Sequence, residues 1–112
     1  MSSGGTGRSP FGRYSDPALL ILASLADGPK HGYAIMTDVA GFSGVRMEPG
    51  TLYGALSRLE RRGWVRPLAS AERRRPYQIT AAGQEILAEQ VTTMQQIVRV
   101  ARLRTATAWG AP

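Results

Sequence analysis

A mostly α-helical chain with one small β-hairpin is what the sequence predicts, and three observations predict it. Residues 17–27, 30–40, 49–62 and 81–104 place apolar side chains at helical spacing. Residues 64–68 and 76–79 alternate apolar and polar side chains over lengths that suit paired strands. The punctuation agrees with both patterns. Asp16-Pro17, Glu48-Pro49 and Thr80 read as helix entries, and Gly28-Pro29, Gly41 and Gly63 as stops.

Composition bounds the function. The chain has 112 residues, 43% of them hydrophobic, which suffices for one modest core and not for two. It carries 14 Lys and Arg against 8 Asp and Glu, a formal net charge of +6, so polyanions are its natural partners. All but one of the basic residues are arginine, the side chain suited to bidentate contact with phosphate and base edges. Cysteine is absent, which excludes a disulfide framework, a thiolate metal site and a cysteine nucleophile. The single histidine, His31, has no acid and nucleophile around it, so capping or packing is its expected role. No paired carboxylates stand at catalytic spacing, and no glycine-rich phosphate loop follows a strand; an enzyme, a metal and a cofactor are not expected. The longest apolar run, residues 18–23, is too short to cross a bilayer and the Gly/Ser-rich start lacks a signal-peptide core. A soluble, cytoplasmic protein without a membrane partner is expected.

Residues 1–14 are rich in Gly, Ser and Arg with almost nothing to bury, and read as a disordered tail. The first helix holds Leu19, Leu20, Ile21, Leu22 and Leu25, apolar nearly all round. Such a helix sits deep or is covered on a second side by another subunit, with Leu19 and Leu22 as the residues offered to it. In the second helix Tyr33, Met36 and Ala40 share one face, and Ile35 and Val39 form an adjacent pair. Residues 45–47 in the loop that follows are a candidate short strand.

The third helix, entered at Pro49 and stopped by Gly63, organises the rest. Leu52, Leu56 and Leu59 form one stripe that must be buried. Opposite it lie Gly50, Gly54, Ser57 and Arg61, with Thr51 and Arg58 on the flank. That outer face is small, hydroxylated and cationic, and suits DNA: small residues permit close approach while arginines reach phosphate or guanine. A solvated amphipathic surface helix would show the same stripe, and the rest of the chain decides between them.

The hairpin expected after it carries Arg73, Arg74 and Arg75 in a long connection, a second anion-seeking element. Trp64 begins its first strand and is placed as core packing. In the last helix Leu87, Val91, Met94, Val98 and Ala101 follow a heptad-like spacing. A seam longer than one small domain covers needs a partner helix, and self-association is the economical answer, with folding back along its own domain as the rival. Residues 81–104 are thus a dimerisation helix, 105–112 a flexible tail, and 15–80 the DNA-binding unit: a winged helix-turn-helix plus a long C-terminal dimerisation helix.

The residues resemble the PadR family of transcriptional regulators. The matching segments are LLILASLADGPKHGYAI (19–35), PGTLYGALSRLERRGWV (49–65) and RRRPYQITAAGQEIL (73–87), within a similarity that extends over about residues 17–87. The resemblance implies a homodimeric winged-helix repressor on a pseudo-palindromic operator of double-stranded DNA, often released by a small lipophilic or phenolic effector. It maps the family's Gly-Thr-Leu-Tyr stretch onto Gly50, Thr51, Leu52 and Tyr53, its basic wing onto Arg73, Arg74 and Arg75, and the residues after the wing onto Tyr77 and Thr80. Glu48 stands where many members carry serine, and one helix follows the wing, as in the short branch of the family. Some short members hold flat drugs between aromatics at the dimer centre; the middle of the last helix here, Met94-Gln95-Gln96-Ile97, has none. The rival function is a winged-helix protein–protein adaptor docking through its last helix, against which the arginine excess argues.

Overall fold

The computed structural model describes residues 16–71 and 74–109, with the elements α1 (Pro17–Leu25), α2 (Gly32–Ser43), α3 (Pro49–Arg61), β1 (Val65–Pro67), β2 (Tyr77–Ile79) and α4 (Ala81–Ala108). Three helices, a hairpin and one further helix make a winged helix-turn-helix with a long C-terminal extension. The tail expected at residues 1–14 lies outside the described residues.

α1 opens as its sequence dictates, with the Ala18 N–H donating to Asp16 Oδ1 at 2.9 Å and Pro17 in the first turn. It ends at Leu25 rather than Asp27. Tight bonds from Ala26 N–H to the Ala23 carbonyl and from Gly28 N–H to the Leu25 carbonyl wind up the last turn. The Lys30 ammonium then donates to the Ser24 carbonyl and to Asp27, whose carboxyl it holds below the usual range by hydrogen bond and charge.

α2 begins at Gly32 and runs through Gly41, the expected stop, to Ser43. A glycine inside a helix costs only about 1 kcal/mol, which burial of Ile35 and Val39 outweighs. The stop needs a left-handed residue, supplied by Gly44 at φ 76°, whose N–H closes on the Ala40 carbonyl. Residues 45–47, the candidate strand, have no strand partner among the described residues and form a loop pinned by buried Met47.

The core gathers Ile21, Leu25, Ile35, Val39, Leu52, Leu56, Leu59 and Val65, with Trp64, Ile86 and Leu87 packed at its margin. Ser24 is buried among them, its hydroxyl donating to Asp38 Oδ2 at 2.7 Å to tie α1 to α2. In the antiparallel hairpin Val65 faces Ile79 on the core side, and Arg66 faces Gln78 outside, donating twice to its Oε1 at 2.8 and 3.1 Å. Lys30 adds a rung on the free edge of β2, exchanging backbone bonds with Tyr77 at 2.9 and 3.1 Å.

Thr80 caps α4, accepting from the Gly83 N–H at 3.0 Å. The helix continues to Ala108, so residues 105–108, expected as tail, are helical, with Thr105 and Thr107 hydroxyls donating to the carbonyls of Ala101 and Leu103. Twenty-eight residues make a rod of about 42 Å. It dominates a molecule whose longest dimension is 59 Å.

Candidate nucleic-acid interface

α3 has two unlike sides. Leu52, Ala55, Leu56 and Leu59 are buried, and the 3.6-residue turn therefore puts Gly50, Thr51, Tyr53, Ser57, Arg58 and Arg61 at the surface. Arg58 and Arg61 sit in the last turn, where the helix dipole favours cations. Glu48 makes no side-chain cap; the entry rests on Pro49 and on the Leu52 N–H donating to the Glu48 carbonyl at 3.0 Å.

The three arginines at the end of α3 divide into two roles. Arg62 lies with its guanidinium 5.1 Å from the centroid of the half-buried Trp64 ring, an arginine–aromatic stack that holds the end of the helix to the start of β1. Arg58 and Arg61 carry no such contact within the described residues and extend from the surface. In the wing Arg74 and Arg75 are exposed, and Arg73 lies outside the described residues.

Tyr53 is half exposed, and its ring and hydroxyl occupy the space over Gly32: a Cβ there would meet Tyr53 Oη at 2.3 Å. The His-Gly-Tyr and Gly-Thr-Leu-Tyr segments are therefore in contact. Tyr77 joins them from the wing root. It is half-buried, and its hydroxyl is pushed above its ordinary range by burial first, then by negative Glu60 and by Tyr53, with Arg75 opposing. The backbone bonds between Lys30 and Tyr77, with Tyr53 packed over Gly32 two residues on, bring the base of the wing toward the flank of α3. Sequence reasoning gave the exposed face but missed this junction and the Lys30 rung. An isolated glycine before an aromatic and a lone lysine were the only signals.

The residues expected to meet a second subunit separate by location. Leu22 is 3% exposed and is taken up by this protomer's own core, so it offers nothing outward; Leu19 and Leu87 are half-buried. Farther along α4, Val91 and Val98 are 37% and 45% exposed, with Ala101 exposed and Met94 half-buried beside them. Ile97, Leu103 and Trp109 add further exposed apolar surface. Among the described residues no cluster of His, Cys, Asp and Glu could hold a metal, and no helix is long and apolar enough to cross a membrane.

Residues 21–89 match the model of the transcriptional regulator PadR-like family. A transcriptional regulator of Mycobacterium tuberculosis, Rv3488, is 36% identical over 84 residues, covering 72% of this chain and 78% of its own. An uncharacterized 37.1 kDa transposon protein of Streptomyces fradiae is 47% identical over 85 residues, 76% of this chain, which spans 25% of that longer protein. The crystal structure of a PadR family transcription regulator from Clostridium difficile superposes with a TM-score of 0.71 at 26% identity, covering 78% of this chain and 95% of the other. The family is one of transcriptional regulators, and so is the Mycobacterium tuberculosis relative. With the family model matched from α1 into α4 and the wing and recognition helix in their places, the chain belongs to the PadR-like family of transcriptional regulators.

Proposed function

We propose that this protein is a sequence-specific, homodimeric transcriptional repressor acting in the cytoplasm on a pseudo-palindromic operator. The observation that carries the reading is the division of α3 into a leucine face sealed in the core and a Thr51–Ser57–Arg58–Arg61 face open to solvent beside an arginine-tipped wing. α3 enters the major groove, where Thr51, Ser57, Arg58 and Arg61 meet base edges or phosphates and the Gly50 surface permits close approach. Tyr53 and Tyr77 line the flank toward the backbone. Arg73, Arg74 and Arg75 reach adjacent phosphates or the minor groove.

Self-association follows from α4. A rod of about 42 Å with Val91, Met94, Val98 and Ala101 along one side leaves apolar surface that water disfavours, and the same side of a second copy covers it, Leu19 and Leu87 bordering the contact. Two reading heads then repress by occupying the promoter. A small lipophilic or phenolic effector that binds one dimer geometry better than the other shifts the population away from DNA.

Competition binding tests the reading. A labelled duplex from the chain's own promoter region binds in preference to a neutral polymer at moderate ionic strength, and log affinity falls against log salt by roughly 0.9 for each phosphate neutralised. Equal retention of duplex and neutral polymer contradicts it.

A further inference from the structure

A single corner joins the reading unit to the long helix. Gly63 turns the chain out of α3 at φ 78°, and Thr80 closes on it from the other side of the hairpin. The Thr80 hydroxyl donates to the Gly63 carbonyl at 2.6 Å and accepts from the Gly83 N–H at 3.0 Å, while the Thr80 N–H donates to the Trp64 carbonyl at 3.0 Å. Gly83, the one fully buried residue of α4, lies against that same carbonyl: a Cβ there would meet the Trp64 oxygen at 2.1 Å and Ile79 Cγ1 at 2.8 Å. The obstacle is backbone on the far side of the hairpin, held by its own hydrogen bonds, so it cannot swing aside as a flexible side chain would.

From this geometry we infer that the Thr80–Gly83 corner sets the angle between α4 and the recognition helix, and thereby the half-site spacing that the dimer reads. Thr80 and Gly83 are positioning residues, acting through α4, and the inference rests on the homodimeric reading above. The lever is long. Carbon–oxygen contacts settle at about 3.3–3.6 Å, so a methyl group at position 83 drives the start of α4 outward by about 1 Å. The helix pivots where Leu87 packs on the core, about 6 Å further on, and the tilt is about 10°. Carried to Val98 and Ala101, that tilt displaces the seam by about 3–4 Å. One base step is about 3.4 Å along a strand, so the two heads come out of register by about one base pair.

Operators selected from a random duplex pool with the purified wild-type chain provide the probe. They are rebuilt with half-sites one and two base pairs closer and farther, beside a duplex holding one half-site. Anisotropy titrations compare wild type, Gly83→Ala, Thr80→Ala and Thr80→Ser, with sedimentation reporting assembly. The wild type should be a dimer with one preferred spacing. Gly83→Ala should remain a dimer with unchanged affinity for the single half-site, lose about tenfold at the wild-type spacing and favour a neighbouring one. Thr80→Ala should flatten the spacing profile and Thr80→Ser restore it. A folded Gly83→Ala chain that keeps the wild-type optimum, or that weakens equally on every duplex including the single half-site, overturns the inference. Should Gly83→Ala not fold, a wild-type profile from Thr80→Ala overturns it equally. A monomeric wild type, or one indifferent to spacing, refutes the dimer itself and the inference with it.

Discussion

Arg61 and Arg62 are neighbours in sequence with opposite expected phenotypes. Arg61 extends from α3 toward solvent, so Arg61→Ala should weaken operator binding by about 1–3 kcal/mol, or shallow the salt slope by about one contact if it meets only phosphate. Arg62 stacks on Trp64, so Arg62→Ala should lower unfolding stability by about 0.5–1 kcal/mol in urea titrations and disturb DNA binding less. Equal effects of both on binding with no change in stability would contradict this division. Which arginine did which was not legible beforehand, because helical phase put both near the surface and the indole that captures one of them lies past the helix end.

Tyr77 yields a pH prediction at the same scale. Its hydroxyl is held protonated more strongly in the folded chain than its ordinary value of 10.0, chiefly by burial and then by Glu60 and Tyr53. The folded state therefore binds this proton more tightly than the unfolded state. The corresponding stability is fully present below pH 10 and is lost as pH rises through the elevated folded value. Melting temperatures measured from pH 8 to about 11.5 should fall on the alkaline side, and less steeply in Tyr77→Phe, which has no phenol to ionise. Parallel alkaline limbs in the two proteins would remove Tyr77 as a contributor.

Elements were legible where periodicity and caps act within a few residues. Leu52, Leu56 and Leu59 dictated the buried side of α3, and with it which side was left at the surface. Leu56→Ala should cost about 2–5 kcal/mol in unfolding free energy, read by denaturant titration, since the side chain is sealed in the core. A loss under about 1 kcal/mol would mean that the stripe is not the core. Boundaries were less legible. Gly41 resembled a stop, yet a stop depends on backbone hand, which Gly44 adopts and Gly41 does not. The α1 ending was hidden too, because it depends on Lys30 reaching back across a turn. Residues 45–47 alternated like a strand, but a strand needs a partner edge, and partner edges are decided by tertiary structure.

For the whole molecule, the decisive feature is the length of α4 beyond the domain it leaves. The heptad-like seam was readable, and so was its inability to be covered by a small domain. What was not readable was where the protomer's own core stops: Leu22 of α1 and, in part, Leu87 of α4 serve the fold, while Val91, Val98 and Ala101 of α4 remain outside it. Val98→Glu should therefore leave the circular-dichroism spectrum unchanged, convert the dimer to monomer in sedimentation and reduce affinity for a two-half-site duplex by roughly 100-fold, since linkage of two heads is what avidity multiplies. A dimer that survives this charge would place the interface elsewhere.

The most direct test of the account is a hydroxyl-radical footprint on a duplex selected by the purified protein. Two recognition helices held by paired α4 rods should protect two patches on one face of the DNA, their centres one helical turn of about 34–36 Å or a multiple apart. A single protected patch, or protection spread evenly along the duplex, would contradict it.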